Sequence, residues 1–135
     1  MKKKKKSLSS LKKKLDRVFS QWVRLRDSDE SGTCACVTCG KLMYWKDAHA
    51  GHWISRRHAS TRWTPENVHA QCPRCNLYEQ GAGAEYSQFI LRTYGHAVFT
   101  RLLEEKRKPK KWLAYELEAL ISLYEEEVKS LGQAV

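Results

Sequence analysis

Leu8, Leu11, Leu15, Val18, Phe19, Trp22 and Leu25 recur at three- and four-residue steps among lysines and arginines. That spacing predicts one basic amphipathic helix over about 8–26. Asp27 to Thr33 breaks it. From Cys34 to Cys75 the helical period vanishes and Cys, His, Trp, Gly and Arg dominate, which predicts a small unit of turns and short strands carrying the chemistry. Tyr86, Phe89, Ile90 and Tyr94 then form a helical face ended by Gly95, and Val98, Leu102 and Leu103 predict a second short helix. Lys106 to Lys111, with Pro109, interrupts the pattern before Leu113, Leu117, Leu120, Ile121, Tyr124, Val128 and Leu131 mark a long helix with an acidic outer face. Such stripes are ordinary core faces, and the last also suits the seam of a homodimer.

A chain of 135 residues supports one domain whose flanking helices share a core with the central unit. The expected division is a basic disordered tail over 1–7, a basic helix and linker over 8–33, a central unit over 34–83 and C-terminal helices over 84–135. The fold class expected is α+β. No apolar run approaches the roughly 18 residues that cross a bilayer. Lys2 to Lys6 lead into Ser7-Leu8-Ser9-Ser10 without the apolar core of a secretory signal, so a cytoplasmic location is expected.

Charge is placed unevenly. Residues 1–26 hold eleven Lys and Arg against Asp16, which accounts for the whole net charge of +10, and residues 27–135 balance fourteen against fourteen. A basic stretch recurs at 41–74, opposite an acidic C-terminal helix. This polarity suits a polyanion held at one face, with Lys2, Lys3, Lys4, Lys5, Lys6, Lys12 and Lys13 as the basic arm. A solvated tail with no partner is the simpler alternative.

Cys36-Val-Thr-Cys39-Gly40 and Cys72-Pro-Arg-Cys75 are two Cys-x-x-Cys knuckles. In a reducing compartment this spacing points to a structural zinc on Cys36, Cys39, Cys72 and Cys75, because each knuckle turns two sulfurs onto one ion. Paired disulfides are the alternative. Cys34 is left as a spare thiol.

Between the knuckles stand Asp47-Ala-His49-Ala-Gly51-His52-Trp53 and Thr61-Arg62-Trp63-Thr64-Pro65-Glu66-Asn67-Val68-His69-Ala70-Gln71, and Asn76 follows Cys75. A histidine, an Asn five residues before a Cys-x-x-Cys, and a ligand-type residue just after it resemble the HNH, or His-Me finger, nucleases. With Cys36 to Gly40, Ala50-Gly51-His52-Trp53, Arg62-Trp63, Asn67 to Cys72, Cys75-Asn76, Gly81 and Tyr86 added, residues 36–95 resemble the lambdoid phage NinG, or Rap, recombination endonucleases. The resemblance implies a zinc-stapled ββα-metal unit between N- and C-terminal helices, with His52 as general base and Asn67 holding the loop that orients it. It further implies Asn76 as a ligand to a catalytic Mg2+ (or Mn2+). The acid expected just before the base is absent, since Gly51 stands there, and His49 is the nearest substitute with Asp47 its rival.

The residue types suit such chemistry, because phosphodiester hydrolysis needs a base for water, a cation for the developing charge and help for the leaving oxygen. Arg56, Arg57 and Arg62 are expected to meet DNA phosphates. Trp53 and Trp63 are expected to form the small core of the hairpin, with His58 and His96 incidental. The implied activity is cleavage of branched recombination DNA such as a Holliday junction, D-loop or flap. A non-catalytic zinc-ribbon DNA-binding module and a nonspecific HNH nuclease are the alternatives.

Deleting residues 2–6 is expected to weaken DNA binding evenly across sequences and to flatten its salt dependence, since flexible lysines contribute counterion release without base readout. Titrating the parent and truncated chains across salt concentrations checks this, and an unchanged slope would exclude the tail from the DNA.

Overall fold

The computed structural model describes residues 6–132, so Lys2, Lys3, Lys4 and Lys5 lie outside the described residues. Helix α1 spans Leu8–Arg26, and the Ser7 hydroxyl accepts the Ser10 N–H to cap it. Two antiparallel hairpins follow. Strands β1 (Thr33–Ala35) and β2 (Leu42–Tyr44) pair Cys34 with Met43, and β3 (His49–His52) and β4 (Val68–Gln71) pair His49 with Gln71 and His52 with Val68. Helices α2 (Gly83–Tyr94), α3 (His96–Lys106) and α4 (Ala114–Ser130) complete the chain. No helix among the described residues is long and apolar enough to cross a membrane.

The α+β class and the helices at both ends are as expected, and the stripe residues close the core. Leu11, Leu15, Val18 and Phe19 of α1 pack on Leu117, Ile121 and Tyr124 of α4, over Trp63 and Val68. The α4 stripe is therefore a core face within this chain. All of β4 is buried because its alternate side chains serve two cores: Val68 and Ala70 pack with the clusters that include α1 and α4, and His69 faces α2. On the α2 side, Ile54, Tyr86, Ile90 and Leu102 form a third cluster, with Trp53 stacked near Phe99 at 5.0 Å. The two tryptophans expected to share one hairpin core thus belong to different cores, because the loop between β3 and β4 reaches the helices on both sides.

The basic end of α1 is partly consumed by the fold. Arg26 donates to the carbonyls of Pro65 and Val68, and the Asp27 carboxylate accepts the Ala70 N–H at 2.8 Å, so this end of α1 is bolted to β4. Arg24 donates to the Trp45 carbonyl.

Gly51 has a steric reason. A Cβ built there would lie 2.0 Å from Gln71 Oε1. The Gln71 amide donates to Thr38 Oγ1 and to the Gly81 carbonyl, tying the first knuckle to the loop beyond the second. An acid at position 51 would displace that tie.

His69 is only 4% exposed. The Tyr86 hydroxyl donates to the Gly51 carbonyl at 2.7 Å, so its oxygen accepts from His69 Nδ1, and Nε2 of the neutral ring accepts from Tyr94 Oη at 2.6 Å. Burial, helped by the nearby Arg26 charge, pushes the His69 pKa down to about 4. The unfolded ring takes its proton near 6.5 and the folded ring resists until about 4, so the unfolded state binds more protons between these values. Stability therefore falls as pH drops through that window, by about 3 kcal/mol at 1.36 kcal/mol per unit. Urea unfolding of the parent and of His69→Gln over that window should show a shallower decline for the variant. Parallel curves would contradict this.

Candidate active site and cysteine centre

The cysteine centre joins the two hairpins. Gly40 closes the first knuckle in a left-handed conformation, φ +80°, donating its N–H to the Cys36 carbonyl. In the second knuckle the Cys75 N–H points at Cys72 Sγ at 3.4 Å. The sulfurs of Cys36, Cys39, Cys72 and Cys75 all lie within 4.8 Å of one another. Four sulfurs so gathered can hold a zinc ion as a closed tetrahedral site. Val37 donates to the Ala70 carbonyl, so the knuckle is fastened to β4. Cys34 lies outside this group, buried in β1, consistent with a spare thiol.

The histidine and asparagine set surrounds a groove beside β3, whose outer edge carries no strand among the described residues. Ala50, His52, Arg56, Asn76, Gln80 and Gly81 line a cavity of about 320 Å³. A smaller one of about 110 Å³ shares Ala50, His52 and Arg56 and reaches Asp16, Phe19 and Ser20 of α1.

His52, at the end of β3, bonds through Nε2 to the Arg62 carbonyl at 2.8 Å. A carbonyl can only accept, so Nε2 carries the proton and Nδ1 keeps its lone pair. Burial lowers the His52 pKa, against the Arg62 carbonyl and the Asp16 charge, which favours a neutral ring near pH 7. Asn67 is fully buried; its amide donates to the carbonyls of Ile54 and Thr61 and its oxygen accepts the Ile54 N–H. These three bonds tie the loop that presents the Arg62 carbonyl.

Asn76 sits in a wide π-type turn, Arg74–Tyr78, and not at the start of a regular helix. Three successive left-handed residues, Gln80, Gly81 and Ala82, separate that turn from α2. The Asn76 amide is 3.1 Å from His49 Nδ1, so these two residues meet. Asp47 is exposed at the end of the 3-10 turn Trp45–Asp47 and lines neither cavity. Beyond the cysteines, no group of three His, Cys, Asp or Glu suited to a metal occurs among the described residues.

The expected phosphate contacts divide. Arg56 is 64% exposed on the groove wall and Arg57 is exposed. Arg62 is turned inward: its guanidinium grips the Asp16 carboxylate through Nε and Nη2 and covers the Trp63 ring. Lys6 and Lys13 are exposed and Lys12 is half-buried. His58 and His96 line neither cavity. Asp16 had no assigned role from sequence, although a lone acid among eleven basic residues was a visible signal.

Replacing Cys72 by Ser should unfold the centre, because it removes one of four sulfurs around which the knuckles close. Near-ultraviolet circular dichroism and metal content should fall together. Protein purified without chelator that contains no zinc would remove the assignment of a metal to these cysteines.

No curated protein and no solved structure matches the chain. A family model described as Bacteriophage Lambda NinG protein matches residues 1–134. That match takes in both hairpins, the cysteine centre and the groove, and with nearly the full length covered the chain belongs to the NinG family.

Proposed function

We propose that this chain is a metal-dependent DNA endonuclease of the HNH type, acting on branched DNA in phage recombination. The observation that carries this reading is the fixed tautomer of His52 in an open groove: Nε2 spent on the Arg62 carbonyl and Nδ1 with a free lone pair. A neutral imidazole so held is suited to take a proton from water. Asn67 holds the loop behind it. In this reading the β3–β4 hairpin and the Arg74–Tyr78 turn stand in for the two strands and the helix of a ββα-metal unit.

Asn76, which lines the groove, and His49, which lines neither cavity but meets Asn76 at 3.1 Å, are the residues that would hold a divalent ion, and both are uncharged donors in this reading. Such a pair suits manganese or a magnesium ion that shares its remaining positions with phosphate and water. The ion would supply positive charge to the phosphate as negative charge develops on it. Arg56 and Arg57 would meet the DNA backbone, with Lys6, Lys12 and Lys13 of the α1 end supplying further positive charge.

The preference for branched DNA is supported by the size of the unit. A two-stranded hairpin with one short turn can present a groove to a phosphate but reads few base edges, so selectivity falls to backbone shape. A junction brings several backbones to one point.

Labelled four-way, flap and linear DNA should be cut with magnesium or manganese, the branched forms faster. His52→Ala should lose roughly 10²–10⁴ of the rate with nearly unchanged DNA binding. A His52→Ala protein that cuts at the parent rate would refute the assignment of the base. A parent that binds but never cuts would make the chain a zinc-containing DNA-binding module.

A further inference from the structure

Asp16 is the one acid of the N-terminal segment, and its carboxylate is committed to three donors. Oδ1 accepts from Arg62 Nε and from Trp63 Nε1, both at 3.0 Å, and Oδ2 accepts from Arg62 Nη2. Arg56 stands 3.7 Å from Oδ2. Arg62 and Trp63 are neighbours in sequence, so one carboxylate grips the side chains on both sides of a single peptide unit. The oxygen of that unit is the Arg62 carbonyl, which holds His52 Nε2. From this geometry we infer that Asp16 is the positioning residue for His52, clamping the peptide that sets the orientation and tautomer of the ring.

Two other roles for Asp16 fit less well. As a metal ligand it would have to release an arginine fork, and a bidentate charge-assisted pair is among the stronger contacts a side chain makes. As a mere support for α1 it would be redundant, since Leu11, Leu15, Val18 and Phe19 already fasten that helix to the core. Its place is specific: the same small cavity is lined by Asp16, Ser20, His52 and Arg56. The clamp thereby makes α1 part of the candidate site, although α1 is separated from His52 by more than twenty residues of sequence. Arg62 is removed from the set of phosphate contacts by the same pairing.

The catalytic consequence rests on the nuclease reading, and the positional one does not. Asp16→Asn keeps the size of the side chain and an oxygen for Trp63 but turns an amide N–H toward the arginine fork. Its kcat on a four-way junction should fall about tenfold to a hundredfold, with KM changed less than about threefold, because orientation of a base acts on the chemical step. Asp16→Glu should recover part of the loss. The ring ¹⁵N signals of His52, recorded without DNA, should report a proton on Nε2 in the parent and a mixture of tautomers in Asp16→Asn. Lys14→Gln, elsewhere on α1, which breaks the 3.8 Å pair with Glu125 of α4, should leave rate and signals unchanged. If Asp16→Asn does not fold, Trp63→Phe removes one arm of the clamp and should move the His52 signals in the same direction.

Parent-like His52 signals in a folded Asp16→Asn protein, or in Trp63→Phe where that substitution is the one that folds, would overturn the inference even if the rate fell, since the loss would then be structural. A parent that cuts no DNA would overturn the nuclease reading, while the ¹⁵N signals would still decide whether Asp16 holds the ring.

Discussion

A two-stranded ribbon cannot keep water from both of its faces, and the ribbon of β3 and β4 carries His52, His49 and the buried Asn67 at its border. Most of the architecture answers that constraint. Helices α1 and α4 contribute to the clusters that take in Val68 and Ala70, α2 covers the face of His69 and packs with α3 around Ile54, and the cysteine knuckles close one end. The outer edge of β3 is left open, and there the groove forms. The candidate site thus lies where the covering elements stop.

The same constraint explains why several polar residues are spent internally. Arg26 and Asp27 satisfy backbone groups of Pro65, Val68 and Ala70. Buried backbone groups left without partners would cost more than the surface charges can return, so these side chains serve the hairpin first. The excess of positive charge in residues 1–26 is therefore not a simple measure of affinity for a polyanion. Arg24 and Arg26 belong to the fold, Arg62 to Asp16, and Arg56, Arg57 and the lysines near the start of α1 remain toward solvent.

The two metal-type assignments differ in kind. The cysteine centre is self-sufficient: two sulfurs from the β1–β2 turn and two from the segment after β4 converge without help from any other group. At the groove Asn76 offers an amide, bonded to the His49 imidazole beside it, and Gly51, which stands where an acid is expected, is dictated by the Gln71 amide packed against it. Under the proposed reading, an ion there would fill its remaining positions with water or substrate oxygens.

Local pattern alone determined α1, α4, the short helices after residue 83 and the pairing of the knuckles, because helical period and Cys-x-x-Cys spacing act within a few residues. Asn67 was legible as a holder of the loop, as its spacing from Cys72 fits the family pattern. What tertiary structure decided is which partner each polar side chain finds. Nothing in the order of residues says that Asp16 meets Arg62 and Trp63, that Tyr94 and Tyr86 bracket His69, or that Asn76 sits in a π-type turn. These contacts join positions 17–47 residues apart or depend on left-handed backbone at Gln80 and Ala82, and only packing against the covered ribbon brings them about.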